Sequence, residues 1–367
     1  MNLRAVKKVL DRSGEPAYRL EQILRAVYRD GAGSYADITA LPAALRRALE
    51  AQARLLSLEA SRVLVSEDGL AHKALLRLAD GQFIESVLLK PKPGDAWSAC
   101  ISCQVGCSMG CAFCSTGLMG LRRDLSSEEI SDQALFWRQY LRAKRVRGRL
   151  TNVVYMGMGE PLLCLGAVFE SLRILLDPRR FGLSARHVAV STVGIVPGIE
   201  RFVSEFPQVN LALSLHAADD ELRTRLVPVN KAYPLKELAA TLRRVLKRTS
   251  RKIFLEYVLL AGENDAPRHA RAVGRFVRLV GRPDLLHVNL IAFNPTATPY
   301  KKPPAAAARA FRDVLCRCGV RVTIRKGLGA DIRGACGQLI TEGPPTGRWR
   351  SPRKRKRPGG GRLRPLA

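Results

Sequence analysis

The sequence lacks any long hydrophobic segment. No apolar run approaches the ~20 residues that a membrane-spanning helix needs, and residues 1–16 carry charges too early for the apolar core of a secretory signal. No internal repeat of fixed period is visible. We therefore expect a globular cytoplasmic protein that has no membrane association.

Acidic residues are scarce relative to basic ones. The 367 residues include 61 Lys and Arg but only 32 Asp and Glu, which gives a formal net charge of +29. The last twenty residues hold nine of the basic side chains and no acidic one, yet the rest of the chain still carries +20 (52 basic against 32 acidic). Because the excess is spread over the body, it favours a polyanionic partner, most simply nucleic acid, over a merely solvated basic surface.

The number of cysteines is odd, which argues against a disulfide framework. In a chain without an export signal, a tight group of thiols binds metal or does redox chemistry more often than it forms structural disulfides. Zinc is the commonest metal of such groups and is the first alternative to weigh. The nine cysteines are Cys100, Cys103, Cys107, Cys111, Cys114, Cys164, Cys316, Cys318 and Cys336.

The pattern of apolar residues divides the chain into three regions. Residues 1–92 begin with helical spacing and change near residue 60 to short apolar runs interrupted twice by Asp-Gly, a hairpin signal. Residues 93–342 alternate short apolar runs with amphipathic stretches. Residues 343–367 are rich in Pro, Gly and Arg, have no periodicity, and are predicted to be a disordered basic tail.

The middle region predicts parallel βα units. About six units are too few for a closed eight-stranded barrel, so an open partial barrel or a doubly wound sheet is expected, with the site at the carboxyl ends of the strands. The strand candidates are residues 97–102, 152–156, 187–192, 209–215, 252–260, 287–293 and 320–325.

Three of the clustered cysteines form the pattern C-x3-C-x2-C. They are Cys107, Cys111 and Cys114. A structural zinc site takes four ligands, and adding Cys103 gives a spacing that is unusual for zinc. A [4Fe–4S] cluster normally takes four thiolates as well. Three thiolates would leave one iron open to a bidentate small ligand.

This cysteine pattern, placed after the first strand of such a barrel, resembles the radical S-adenosylmethionine (SAM) enzymes. With the helical N-terminus, further motifs in one order resemble the RlmN/Cfr family of RNA adenine-carbon methyltransferases over roughly residues 10–340. The resemblance implies a partial (βα)6 radical SAM barrel at residues 93–342 and an RNA-binding accessory domain at residues 1–92. The motifs are SCQVGCSMGCAFCSTG, YMGMGEPLL, STVGIVPGI, LALSLHA, HVNLIAFNP and RKGLGADIRGACGQL.

The resemblance also implies the site residues. It assigns the cluster to Cys107, Cys111 and Cys114, and catalysis to Cys336 as methyl carrier, Cys100 as second redox thiol and Glu85 as proton acceptor. The residues that it assigns to the SAM site are Gly159, Glu160, Ser191, Ser214, Leu215, His216 and Asn294.

The activity that the resemblance implies is methylation of an adenine ring carbon. One SAM methylates Cys336, a second generates the radical that activates this methyl group, and Cys100 releases the product as a transient disulfide forms. The implied partners are 23S rRNA, tRNA as a further substrate, and an electron donor such as flavodoxin or ferredoxin. We expect a monomer.

Three alternatives stay open at this point. The first concerns the target atom: FIESVLL and EYVLLAGEND resemble the branch that methylates C2, whereas EPAYRLEQI, PQVNLALSLHA and KRTSRKIF resemble equally the C8 branch, which confers antibiotic resistance. We favour C2.

The second is a non-catalytic iron–sulfur protein that binds nucleic acid, although such a protein has no need of the Gly-flanked Cys336. The third concerns the other thiols: Cys103, where the family usually has Ser, and Cys164, Cys316 and Cys318 are expected to be core thiols.

Overall fold

The computed structural model describes residues 1–339, so the predicted basic tail lies outside the described residues. The N-terminal region has three helices followed by three strands, which confirms the change of period seen in the sequence. Helix α2 continues into a π-helical turn at Arg25–Arg29. The elements are α1 (Leu3–Arg12), α2 (Tyr18–Leu24), α3 (Ala43–Gln52), β1 (Leu58–Val65), β2 (Ala71–Leu78) and β3 (Phe83–Leu89).

The rest of the described chain alternates strands with helices, and all seven predicted strands are present. Its elements are β4 (Ala96–Cys100), β5 (Gln104–Cys107), α4 (Ser115–Met119), β6 (Gly120–Asp124), α5 (Ser127–Ala143), β7 (Arg149–Tyr155), α6 (Leu165–Leu176), β8 (Val188–Thr192), α7 (Val196–Glu205), β9 (Asn210–Ser214), α8 (Asp220–Leu226), α9 (Leu235–Val245), β10 (Ile253–Leu259), α10 (Pro267–Val280), β11 (Leu286–Ala292), α11 (Ala305–Arg317) and β12 (Arg321–Ile324).

One ten-stranded sheet runs in the order β1-β2-β3-β4-β7-β8-β9-β10-β11-β12. Pairing is antiparallel from β1 to β4 and parallel from β4 to β12, while β5 and β6 form a separate two-stranded sheet. A doubly wound sheet reverses its strand order at a switch point, and here the order follows the chain throughout. The fold is therefore the open partial barrel of six βα units, completed by a last strand.

Helix α5 connects the N-terminal region to the barrel. Gln139 donates from Nε2 to the carbonyl of Ala32 at 2.7 Å, and Asp132 accepts from the backbone N–H of Ser57 at 2.9 Å and from the N-terminal ammonium of Met1. The sheet is also continuous between the two regions because β3 pairs with β4. The accessory domain boundary near residue 92 stays a prediction.

Side chains alternate between the two faces of each barrel strand, and this alternation separates packing from chemistry. Tyr155 faces the helices, where its hydroxyl lies 2.7 Å from Ser171 Oγ on α6. Ser191, Ser214 and Glu256 face the barrel interior. Within residues 1–339, no helix is both long enough and apolar enough to cross a membrane.

Candidate active site

A cavity of about 140 Å³, open to solvent at its mouth, lies inside the barrel at the carboxyl ends of the parallel strands. This is where the βα order predicts the site. Of the thirteen predicted site residues, nine line it, and Glu85, Cys100, Leu215 and Asn294 do not. The nine are Cys107, Cys111, Cys114, Gly159, Glu160, Ser191, Ser214, His216 and Cys336.

The three thiols of C-x3-C-x2-C lie on one loop between β5 and α4. Cys107 ends β5, and Cys114 is the N-cap residue of α4, with its N–H donating to the carbonyl of Cys111 at 3.1 Å. The hairpin requires glycine at Gly106, where φ is +82° and a Cβ would lie 1.9 Å from the carbonyl oxygen of Gly120. Gly106 and the backbone conformation that it allows therefore direct this loop into the cavity.

The electrostatics of the loop favour a bound positive centre. Burial raises the pKa of Cys107 to about 11 and that of Cys111 far above its usual range, and the neighbouring thiolates raise both further. Within residues 1–339, no three His, Cys, Asp or Glu side chains converge as ligands of a single ion. Zinc would draw its thiolates to about 2.3 Å each, whereas a cluster binds each thiolate through a different iron. The donor set fits the cluster, and its ligand assignment stays a prediction.

Glu160 forms the floor of the cavity at the end of β7. Its carboxylate accepts from the N–H of Leu162 at 3.0 Å and of Val193 at 2.8 Å. Burial raises its pKa to about 7, and the two backbone donors limit the rise. Gly159 beside it has φ +104°, and a Cβ there would lie 2.6 Å from Gln104 Cβ. The result is a buried carboxylate suited to a cationic ligand such as an ammonium group.

Residues at the carboxyl ends of β8 and β9 also line the cavity. Ser191 Oγ lies 3.3 Å from Ser214 Oγ, and the ring of His216 meets that of Phe113 edge-on with centroids 4.8 Å apart. Nδ1 of His216 accepts from the N–H of Val258 at 3.1 Å, and burial lowers the pKa of His216 to about 3. The ring is therefore neutral, with its proton on Nε2.

Two predicted SAM residues contribute differently from what the sequence indicated. The side chain of Leu215 is fully buried in the hydrophobic core, so only its backbone is near the site. Asn294 does not line the cavity and instead donates from Nδ2 to the carbonyl of Cys336 at 3.2 Å. This hydrogen bond helps to hold the segment that carries Cys336, and the assignment of Asn294 to the SAM site stays a prediction.

Further contacts place this C-terminal segment over the loop that carries the three thiols (residues 107–114, hereafter the cluster loop). The N–H of Ser115 donates to the carbonyl of Gly337 at 2.9 Å, and Thr116 Oγ1 donates to the carbonyl of Leu339 at 2.7 Å. Cys336 is exposed to the open cavity although protein atoms surround it, and this environment raises the pKa of its thiol. The segment brings a thiol from the end of the fold to the cluster loop.

Cys100 lies at the carboxyl end of β4, in the barrel wall. Burial and, to a smaller extent, Cys336 raise its pKa to about 12. The two thiols are 236 positions apart in sequence, yet Cys336 is near enough to Cys100 to affect its pKa. The pairing of the two thiols in one reaction stays a prediction.

Glu85 lies on β3, next to the strand of Cys100. It faces the same side of the sheet as Cys100, because Val87, two residues further along β3, pairs with Cys100. Glu85 is buried, and its carboxylate pairs with Lys73 Nζ at 2.8 Å. It lies beside the cavity, on the accessory strands.

Sequence reasoning missed an ion pair on the inner face of the barrel. Arg325 Nη1 lies 3.4 Å from Glu256 Oε2, and Asn289 Nδ2 donates to Glu256 Oε1 at 2.8 Å. The positive charge of Arg325 lowers the pKa of both Cys100 and Cys336, against the effect of burial. The available signal was Glu256, the one charged residue within the otherwise apolar strand β10.

The remaining thiols divide into core and surface. Cys103 and Cys164 are buried, which confirms the expectation for both, and Cys318 is half-buried against Gly274. The expectation was wrong for Cys316, which is exposed because it lies on the outer face of α11.

Comparison with known proteins agrees with this architecture. Residues 101–272 match the model of the Radical SAM superfamily. The chain is 42% identical to the probable dual-specificity RNA methyltransferase RlmN of Chloroflexus aurantiacus, over 92% of this chain and 91% of that protein. It is 38% identical to the ribosomal RNA large subunit methyltransferase Cfr of Clostridium botulinum, over 92% and 96%.

A solved structure gives the same result in three dimensions. The crystal structure of a radical SAM methyltransferase from Sphaerobacter thermophilus matches with a TM-score of 0.85 and 41% identity, and the match covers 92% of this chain and 97% of that one. The resemblance found in the sequence is confirmed. The chain belongs to the RlmN/Cfr family of radical SAM RNA methyltransferases.

Proposed function

We propose that this protein methylates C2 of an adenine in 23S rRNA, with tRNA as a further substrate, through a methyl group carried on Cys336. The observation that carries the proposal is that Cys336 lies in one cavity with the three-thiol loop and near enough to Cys100 to affect its pKa. An adenine ring carbon is a poor nucleophile, so a protein-bound methyl carrier and a means of releasing it are both needed. A binding protein would need neither thiol.

The cofactors would be held by the cavity residues already described. Cys107, Cys111 and Cys114 would hold the [4Fe–4S] cluster, and the ammonium group of SAM would lie against Glu160. When bound, cluster and SAM together supply a methyl group and a carbon-centred radical, with two SAM molecules consumed per turnover. The other SAM contacts would come from Gly159, Ser191, Ser214, His216 and the backbone of Leu215, and Asn294 would act through its hydrogen bond to the Cys336 carbonyl.

The residues of the chain perform the remaining steps. The thiolate of Cys336 accepts the methyl group at Sγ, and the activated methyl carbon forms a bond to adenine. The adduct gives up one electron, which the bound cofactors would take back, and Glu85 accepts the ring proton. Cys100 Sγ then attacks Cys336 Sγ, so the bond from Cys336 Sγ to carbon breaks, its electron pair and one proton complete the methyl group on the base, and a disulfide remains. A dithiol reductant restores the pair.

Two cations support these roles. A thiolate is the reactive form of cysteine, and Arg325 favours the thiolate of both Cys336 and Cys100. Lys73 pairs with the buried carboxylate of Glu85 at 2.8 Å. The site therefore has a cation near each group that is proposed to react.

The basic surface and the domain layout complete the proposal. RNA would be held by the accessory domain (residues 1–92) at the mouth of the barrel (residues 93–342), with non-specific phosphate contacts from the basic tail (residues 343–367). We propose a cytoplasmic monomer that receives electrons from a flavodoxin or ferredoxin.

A second candidate is methylation at C8 of the same rRNA adenine. It is supported by the motifs EPAYRLEQI, PQVNLALSLHA and KRTSRKIF, whereas FIESVLL, which contains Glu85, supports C2. Mass spectrometry of 23S rRNA and tRNA from cells that lack the gene, compared with complemented cells, distinguishes the two. We expect 2-methyladenosine to disappear from the deletion strain. The loss of 8-methyladenosine instead would contradict C2.

A further inference from the structure

A fully buried arginine lies behind the cluster loop and has no part in the mechanism above. Arg223, on α8, has an exposed fraction of 0%. In the described part of the chain its hydrogen-bond acceptors are neutral. They are the carbonyl oxygens of Leu215 (3.1 Å), Val193 (2.6 Å) and Ser214 (3.3 Å) and Oδ1 of Asn230 (2.8 Å).

A buried guanidinium with only neutral partners is costly, because carbonyl dipoles replace water incompletely and no opposite charge compensates the loss. Burial accordingly lowers the pKa of Arg223 to about 10, which still leaves it cationic at neutral pH. An opposite charge beside Arg223 would offset this cost.

The nearest candidate for that charge is the cluster loop. The N–H of Ala112, next to Cys111, donates to the carbonyl of Leu226 at the end of α8, at 3.0 Å. Cys111 also packs in one hydrophobic cluster with Leu222 and Leu226, on either side of Arg223. The Cys111 thiolate stabilises the guanidinium more than the exposed Asp220 does.

We propose that Arg223 is a positioning residue that supplies the counter-charge of the iron–sulfur cluster and raises its reduction potential. The proposal rests on the assignment of Cys107, Cys111 and Cys114 as cluster ligands. A cluster held by thiolates is anionic and gains one more negative charge on reduction. A fixed cation beside it therefore favours the reduced form, which the enzyme needs to cleave SAM.

Arg223 also has a structural role that the test must separate from its charge. The backbone of Val193 contacts both side chains: its carbonyl oxygen accepts from Arg223, and its N–H donates to Glu160. Arg223 thereby ties the loops after β8 and β9 together. Removing these hydrogen bonds would disturb the shape of the site, whereas removing the charge alone would change the potential of an intact cluster.

The experiment is a potentiometric titration of the anaerobically reconstituted full-length protein, followed by electron paramagnetic resonance of the reduced cluster. In Arg223→Met we expect the ratio of reduced to oxidised cluster at a fixed potential to fall at least tenfold, a shift of ~59 mV to more negative values for a one-electron couple. Arg223→Lys keeps the charge and should stay within about threefold of wild type. Arg223→Gln keeps polar contacts, removes the charge, and should follow Arg223→Met.

A matched control is Arg138→Met. Arg138 is half-buried, donates to the carbonyl of Tyr28 and lies 4.8 Å over the ring of Phe181, on the side of α5 that faces the N-terminal region. Its removal should leave the potential unchanged. A wild-type potential in Arg223→Gln, or an equal shift in Arg223→Lys and Arg223→Met, would overturn the proposal. Failure of the wild-type protein to assemble a cluster would instead contradict the ligand assignment.

Discussion

The two sides of the site are built in different ways. The cofactor wall (the thiols of the cluster loop, Glu160, Ser191, Ser214 and His216) lines the cavity, is held by backbone hydrogen bonds and is buried or half-buried. The thiol wall (Cys100, Cys336 and Glu85) combines a barrel strand, an accessory strand and a C-terminal segment, and of its three residues Cys336 alone lines the cavity. The first wall would serve as a fixed binding surface. In the proposed mechanism the groups of the second approach one another in turn, which suits parts that come from separate segments.

In the cofactor wall, the largest effect is expected from the removal of a cluster ligand. Because the proposal assigns the whole cluster to three thiolates, Cys107→Ala, Cys111→Ala and Cys114→Ala should each lose the iron, from about four atoms per chain to less than one, and all methylation activity. Iron analysis and absorption spectra of anaerobic preparations measure this. Cys103→Ser is the matched control, since Cys103 is a neighbouring buried thiol, and it should keep both. A full cluster in Cys111→Ala would refute the assignment.

A smaller effect in the same wall is expected from a change of pH, because the pKa of Glu160 is raised to about 7. An ammonium ligand requires the ionised carboxylate, so SAM affinity should be constant above this pH and should fall about tenfold for each pH unit below it. Equilibrium binding to the reconstituted protein between about pH 5 and pH 8 measures the effect. Glu160→Gln should bind weakly and without this pH dependence. A wild-type affinity that does not change with pH would contradict the role of Glu160.

The smallest effect is expected from the tail, which belongs to neither wall. Deleting residues 345–367 removes nine basic side chains. RNA affinity should fall, and its logarithmic salt dependence should flatten by ~0.7 to 0.9 for each phosphate that the tail neutralises in the full chain. Methylation should still occur at the same base. An unchanged salt slope would show that the tail does not touch RNA.

The cofactor wall could be predicted from sequence to a large extent. Its residues follow strand ends in short motifs, and the spacing of Cys107, Cys111 and Cys114, taken with the strand context and GMGEP, favours a cluster over zinc. Arg223 could not be found in this way. It lies among the charged residues of a short helix, in the stretch DELRTRL, and only the packing of α8 against the cluster loop makes it a buried cation.

The thiol wall shows a different limit. Cys100 and Cys336 were paired through a family resemblance, because no local pattern relates residues 236 positions apart. The choice of a partial barrel over a doubly wound sheet had the same obstacle, since strand order is a long-range property. The wrong expectation for Cys316 arose because an apolar-rich helix segment does not reveal which of its faces meets the barrel.

The most direct test of the account is to trap the intermediate of the two-thiol reaction. Cys336→Ala removes the methyl carrier, so no bond to RNA should form. Cys100→Ala leaves the carrier intact and removes only the release step, so protein joined to RNA through Cys336 should accumulate. Cys103→Ala, at a buried thiol outside the mechanism, is the control and should behave as wild type.

A denaturing gel after expression gives the answer. The account predicts a slow, RNase-sensitive band with Cys100→Ala, and none with Cys336→Ala, the double variant or the control. A band with Cys336→Ala would mean that the two roles are reversed. If neither single variant traps RNA while both lose activity, the methyl group does not pass through Cys336, and the central claim is contradicted.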